Sequence, residues 1–214
     1  HMSCIGDDKA EIAELLEFYK SLGITRLVAL RGDLPSGQVG MGELPFAVDL
    51  VKFIREYSGD HFHIEVAAYP EMHPQARSFE FDVDNLVNKY RAGANASITQ
   101  FFYNADSYLY LRDTLEKRGI DTIAQPLVAG IMPITNSSNL IRFADSCGAD
   151  IPRYVRKRLA DFGDDSKSIR EFGFDVVYRL CERLMSEGVP AMHFYSMNKV
   201  EPNKRLVEAL GLTV

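Results

Sequence analysis

Paired cysteines are missing from this chain. Its three cysteines, Cys4, Cys147 and Cys181, are odd in number, far apart and outside any CxxC pair. They give no zinc signature and fit reduced thiols in a cytoplasmic protein. Long apolar runs are missing too. Nothing approaches the ~18 residues that a membrane span needs, and no secretory signal opens the chain. A surplus of positive charge is also absent. With 24 Lys and Arg against 30 Asp and Glu, the net charge is −6, whereas nucleic-acid binders carry a basic surface. The basic cluster "RYVRKR" (153–158) reads as a solvated helix face. There is no GxGxxG or P-loop. There is also no GxSxG, and no cysteine has a nearby histidine with which to form a nucleophile pair.

What is present is alternation. Short apolar or β-branched runs stand at "ITRLVAL" (24–30), "FHIEVAAY" (62–69), "ASITQFFY" (96–103), "DTIAQPLVAGI" (121–131) and "AMHFYS" (191–196). Amphipathic stretches lie between them. "DDKAEIAELLEFYKSLG" (7–23) sets Ile12, Leu15, Leu16 and Tyr19 on one face, with Asp7 or Asp8 as cap and Gly23 as stop. "FAVDLVKFIREY" (46–57) carries Val48, Val51, Phe53 and Ile54 in a stripe, with Leu50 beside it. Further helices are expected over 82–95, 105–120, 138–148 and 168–188. Helix, Gly, strand, polar loop, helix is the texture of βαβ units on a parallel sheet. No linker divides the 214 residues, so a single domain over 1–214 is expected.

Two α/β architectures compete. A doubly wound sheet would announce its cofactor with a Gly-rich turn, which is absent. A (β/α)8 TIM barrel keeps its chemistry at the C-terminal ends of the strands. The polar loops "RGD", "YPEMHP", "TQFFY", "MPITN" and "YSMNK" cluster there, so the barrel is favoured. About five complete strands are countable, with a further strand end at "HMSCI". A typical barrel has about eight strands in ~250 residues, so the first two or so βα units are expected to be absent from this chain.

Each strand-end loop admits a bland and a chemical reading. In Arg31-Gly32-Asp33, Gly allows close backbone approach and Arg offers a planar donor fork; the bland reading is a salt-bridged turn. "YPEMHP" holds Tyr69, Glu71 and His73 between Pro70 and Pro74, which stiffen the loop. Gln100 needs hydrogen bonds if buried, or an amide-like ligand edge such as a pterin or flavin ring. Phe101, Phe102 and Tyr103 read as core. His61 and His63 sit at a strand start and read as structural, though with Glu65 they alternate as metal ligands do. The pattern points to binding a planar redox cofactor more than to hydrolysis.

In this order, "VALRGDLP", "VAAYPEMHPQA", "AGANASITQFFY", "AGIMPITN" and "HFYSMN" resemble the flavoprotein family 5,10-methylenetetrahydrofolate reductase, along the whole chain. The resemblance implies a β8α8 barrel that carries FAD. It implies an enzyme that moves hydride from NADH or NADPH to FAD, and then to methylenetetrahydrofolate, in one-carbon metabolism and methionine biosynthesis. It further implies a homo-oligomer; from the residues themselves a cytoplasmic protein is expected, with no nucleic-acid or membrane partner and no metal. Arg31, Gly32 and Asp33 match the motif lining the flavin, with Asp33 near the reacting ring as the catalytic residue and also a folate contact. His1, Ala47, Tyr69, His73, Ala76, Asp82, Asn85 and Lys89 match FAD contacts. Gln100 and Phe143 match folate or nicotinamide contacts. Asn139 stands where the family has Gln, Lys199 where it has Arg, and Asn88 where it has Arg. The loop ahead of Ala47 is about two residues longer than in the bacterial pattern.

By the same resemblance, the family's general acid, a glutamate on the first strand, has no counterpart here; Glu71 matches an ordinary position. The alternatives are a truncated, catalytically impaired FAD-binding barrel fragment, and a metal-dependent barrel hydrolase using His61, His63 and His193.

Overall fold

The computed structural model describes residues 1–33 and 42–212. Residues 34 to 37 of "ALRGDLPSG", and most of the longer loop ahead of Ala47, lie outside the described residues. The elements run β1 (Met2–Ser3), α1 (Lys9–Ser21), β2 (Arg26–Leu30), α2 (Ala47–Ser58), β3 (His63–Ala68), α3 (Phe79–Arg91), β4 (Ala96–Thr99), α4 (Ala105–Lys117), β5 (Leu127–Ile131), α5 (Ser137–Cys147), α6 (Arg153–Asp161), α7 (Ser166–Ser186), β6 (Met192–Phe194) and α8 (Val200–Ala209).

Counting described residues, the chain gathers into two compact units. The first holds His1–Ala68, Val83–Ile98 and Leu115–Pro126; the second holds Tyr69–Asp82, Thr99–Thr114 and the chain from Leu127 onward. In the first unit the strand order is β1-β2-β3-β4; in the second it runs from the last residue of β4 to β5 and β6. Strand order is chain order throughout, as in successive units of a β/α barrel. Pairing is parallel, with Met2 opposite Ala29, Leu27 opposite Ile64 and Gly130 opposite His193. The expected strand end at "HMSCI" is β1.

Local chemistry explains the elements. At the start of α1, the Asp8 carboxylate accepts from the Glu11 N–H at 2.9 Å, and the Glu11 carboxylate accepts from the Asp8 N–H at 2.9 Å. This reciprocal cap satisfies two otherwise orphaned donors. In α2 the buried residues are Leu50, Val51 and Ile54, so Leu50 belongs to the core stripe itself, while Val48 and Phe53 are half-buried. Asn136 caps α5, accepting from the Asn139 N–H, and Gly148 ends it in the left-handed conformation.

Two expectations need correction in detail, and one helix went unforeseen. "DTIAQP" is a turn and not the start of a strand: the Asp121 carboxylate accepts from the N–H groups of Ile123 and Ala124 at 2.9 and 3.1 Å. β4 stops at Thr99, so Gln100 and the aromatics after it lie beyond the strand. Helix α8 was not expected, because Leu206 is its one buried residue and the apolar stripe is weak.

Each unit has its own core. In the first, Leu27, Ala29, Ile64 and Val66 of the sheet pack with Leu50, Ile54, Leu86, Val87 and Tyr90, all buried. In the second, Leu127, Ala129 and Ile131 are joined by Phe102, Tyr108, Leu111, Val177 and Leu184. Strand β3 alternates half-buried and buried residues, as does β2 after its exposed Arg26, whereas all of β4 is buried. The half-buried face of β3 includes Glu65, which is bound by Arg26 and lies 3.7 Å from His63.

Candidate active site

In the first unit, the chain leaves β2 into Arg31-Gly32-Asp33, and the segment after β1 grips that exit. Cys4 donates its N–H to the carbonyls of Leu30 and Arg31 at 3.2 Å each, and Ile5 donates to Arg31 at 2.9 Å. Gly32 has φ of 87°, and a Cβ there would meet Ile5 Cγ2 at 2.9 Å and Ser3 Cβ at 3.0 Å. The close approach that glycine permits is therefore made to Ser3 and Ile5, and the backbone angle also requires it. Arg31 Nε donates to the Gly32 carbonyl at 3.1 Å, and Asp33 is exposed. Burial pushes the Cys4 thiol up to about 11, so it stays protonated beside this loop. His1 is exposed and directly precedes β1, whose two residues pair with the last two of β2. That puts His1 near the C-terminal end of the sheet.

Ala47 is the first residue of α2, where the Asp49 carboxylate turns back to accept from the Phe46 N–H at 3.1 Å. Asn85 and Asn88 are exposed on α3. Lys89, one turn after Asn85, donates its ammonium to the Ala67 carbonyl at the C-terminal end of β3. His61 Nε2 lies 3.3 Å from the Ile24 carbonyl, at the opposite, starting end of β3. Among the described residues no group of three His, Cys, Asp or Glu is placed to hold a metal ion.

In the second unit, the loop after β3 is held from several directions. The Tyr69 and His73 rings meet edge to face, with centroids 4.6 Å apart. The His73 N–H donates to the Asp82 carboxylate at 2.8 Å, and Ala76 donates to the His73 carbonyl at 2.8 Å. His73 Nδ1 accepts from the Gln75 N–H at 3.0 Å, so the neutral ring carries its proton on Nε2. Glu71 ties the loop to two distant places: it accepts from the Asp150 N–H at 2.7 Å and from the Ser107 hydroxyl at 3.4 Å. At Gly148 a Cβ would come within 3.0 Å of Pro74.

Gln100 follows β4 and is half-buried. Its Oε1 accepts from the Phe101 N–H at 3.0 Å, so the hydrogens that the side chain can donate are those on Nε2. Phe101, Phe102 and Tyr103 are buried, as expected of core aromatics. Asn139, Phe143 and Lys199 come together as lining of one pocket of about 220 Å³, with Met132, Leu140 and Met197. The loop "YSMNK" reaches this pocket through left-handed backbone at Met197 and Asn198, with φ of 49° and 57°. Sequence reasoning missed the anchoring by Glu71 and the lining role of Met132 and Met197. The two methionines do lie in the strand-end motifs "MPITN" and "YSMNK".

Strand order, and polar loops at the C-terminal strand ends, define an α/β protein of the β/α-barrel class. Two solved structures share this fold. One, described as an uncharacterized protein from Clostridium thermocellum that binds two copies of 5-methyl-5,6,7,8-tetrahydrofolic acid, has a TM-score of 0.62 at 17% identity. The match covers 98% of this chain and 71% of that one. The other, a dihydrodipicolinate synthase from Acinetobacter baumannii, has a TM-score of 0.51 at 13% identity and is covered over 57% of its length by 98% of this chain. The family model for methylenetetrahydrofolate reductase matches residues 1–211. The 5,10-methylenetetrahydrofolate reductase of Escherichia coli (strain K12) is 37% identical over 212 residues, which is 99% of this chain and 69% of that protein. A probable methylenetetrahydrofolate reductase (NADPH) of Caenorhabditis elegans is 35% identical over 99% of this chain and 32% of its own length. The chain belongs to the methylenetetrahydrofolate reductase family, a family of oxidoreductases.

Proposed function

We propose that this chain binds FAD and uses NADH or NADPH to reduce 5,10-methylenetetrahydrofolate to 5-methyltetrahydrofolate. The observation that carries the reading is the anchored loop 69–76. The loop that carries the family-matching Tyr69 and His73 is held by the Asp82 carboxylate, which accepts from the His73 N–H, and by Glu71, which accepts from the Asp150 N–H. Such pre-ordering is what tight cofactor binding uses. The donor set also suits FAD. Lys89 and Arg31 supply cations at strand ends for a diphosphate, and Asn85 supplies a neutral donor. Asp82 orients the His73 loop, and His1, Gly32, Ala47 and Ala76 complete the cofactor-binding set.

Bound FAD supplies hydride-transfer chemistry between the nicotinamide and the folate. Asp33 would hold an anion near the flavin ring, which would make reduction of the ring harder and favour a cationic iminium form of the folate. Gln100 donates from Nε2 to the carbonyl edge of the substrate ring or of the nicotinamide. Phe143 stacks on the bound aromatic group, while Asn139 and Lys199 hold its polar and anionic parts. We place the reaction in one-carbon metabolism and methionine biosynthesis, in a cytoplasmic homo-oligomer folded as a single barrel domain.

The test is spectroscopic. Purified protein, alone or after addition of FAD and removal of the excess, is expected to show flavin absorbance that denaturation releases. NAD(P)H is expected to bleach it, and methylenetetrahydrofolate to restore it. A colourless protein that retains no added FAD would overturn the proposal.

A further inference from the structure

At the end of β4, side-chain hydrogen bonds join the strand pairing. The Gly130 N–H of β5 donates to Thr99 Oγ1 at 2.8 Å. The Thr99 carbonyl is taken by the Tyr195 hydroxyl at 2.8 Å. Tyr195 directly follows β6, and its own N–H donates to the Ile131 carbonyl at 2.8 Å. Its ring thus reaches past β5 to arrive at β4. Gly130 makes that reach sterically possible: a Cβ there would lie 2.0 Å from the Thr99 oxygen and 2.8 Å from Tyr195 Cε2. The first contact is with backbone, so no side-chain movement relieves it. Thr99 is fully buried, so its carbonyl has no water to turn to if the hydroxyl is withdrawn.

A peptide unit is planar, so fixing the Thr99 carbonyl fixes the Gln100 nitrogen and constrains its Cα. We propose that Tyr195 is a positioning residue for Gln100: its hydroxyl, carried over the gap left by Gly130, sets the Thr99–Gln100 peptide and so aims the Gln100 amide. The same tyrosine immediately precedes Ser196, which lines the pocket of Asn139, Phe143 and Lys199. One side chain therefore joins the pocket loop to the glutamine. Burial pushes the Tyr195 phenol up to about 12, with Tyr69 and Cys147 adding to the effect, so it remains a donor at working pH. The functional meaning rests on the assignment of Gln100 to the substrate in the proposed reaction; the positioning itself does not.

The experiment uses the full chain as wild type, Tyr195→Phe, Gln100→Ala and the double variant, with Gly130→Ala as a second way to break the contact. Tyr195→Phe keeps the ring, so it is expected to fold, and a thermal melt checks this. Hydrogen exchange of the Phe101 amide, which bonds to the Gln100 side chain, is expected to speed up about tenfold in Tyr195→Phe, the loss of one buried hydrogen bond. Gly130→Ala is expected to act in the same direction. Binding of 5-methyltetrahydrofolate is expected to weaken about tenfold in Tyr195→Phe. It should weaken no further in the double variant than in Gln100→Ala alone, because the tyrosine acts through the glutamine. Unchanged Phe101 exchange in Tyr195→Phe, or binding losses that simply multiply in the double variant, would overturn the proposal. If Gln100→Ala binds the folate as tightly as wild type, the assignment of Gln100 to the substrate falls, and Phe101 exchange alone then decides whether Tyr195 positions it.

Discussion

At the scale of single residues, Glu71 carries a consequence that its position in the motif does not advertise. Burial pushes its carboxyl above the usual 4.5, and the Asp150 charge adds to this; the Asp150 N–H and the Ser107 hydroxyl hold it down. A carboxyl raised in the folded state makes that state the better proton binder. Its contribution is then full below the unfolded value of about 4.5 and is lost as pH rises through the folded value. Glu71→Gln keeps an oxygen to accept from the Asp150 N–H but cannot ionise. The unfolding midpoint of wild type is therefore expected to fall relative to Glu71→Gln as pH climbs from about 4.5 through the folded value. Urea melts of both proteins at stepped pH read this, and curves that stay parallel across the window would refute it. Glu71 was legible in sequence only as one letter of "YPEMHP". Its partners Ser107 and Asp150 are 36 and 79 residues away, a distance at which spacing carries no signal.

At the scale of elements, the first unit is tied together by Arg55 of α2. Its guanidinium donates twice to the Gly93 carbonyl, at 3.0 and 2.8 Å, and to the carbonyls of Phe62 and Gly59 at 2.8 and 3.0 Å. It also donates to Asn95 Oδ1 at 2.6 Å, and that oxygen accepts from the Ile64 N–H of β3. One planar fork thus joins α2, the turn into β3 and the turn into β4. Arg55→Ala is expected to cost on the order of 2–4 kcal/mol, since it strips acceptors that are part-buried. Arg55→Lys should recover little, because an ammonium on a flexible stem cannot replace a planar fork. Chemical denaturation of the three proteins measures this; a lysine variant as stable as wild type would show that charge alone suffices. The helix itself was readable from its apolar spacing, as were α1, α3, α4, α5 and α7. α8 was not, with one buried residue to mark it. The false strand start at "DTIAQP" has the same kind of cause: a local side-chain bond from Asp121 outcompetes apolar character.

At the scale of the whole molecule, βα alternation made the strand order readable, because a parallel strand needs a crossover and the crossovers are the helices. The grouping into two compact units was not readable, since each unit is assembled from separate stretches of chain. Ligand linkage acts on the molecule as a whole and gives the last test. A cofactor that binds the folded chain alone stabilises it by about 2.7 kcal/mol at a hundred times its Kd. For a chain of this size each kcal/mol moves the melting temperature by ~2–4 °C, so saturating FAD is expected to raise it by roughly 5–10 °C. The rise should keep growing with the logarithm of FAD concentration. Riboflavin should give a smaller rise, because it lacks the diphosphate that Lys89 and Arg31 are proposed to hold, and Lys89→Met should narrow the gap between the two ligands. Equal shifts for riboflavin and FAD in wild type would remove the diphosphate from the binding account while leaving the ring contacts of Tyr69 and His73 in place. No shift with either ligand would remove flavin altogether.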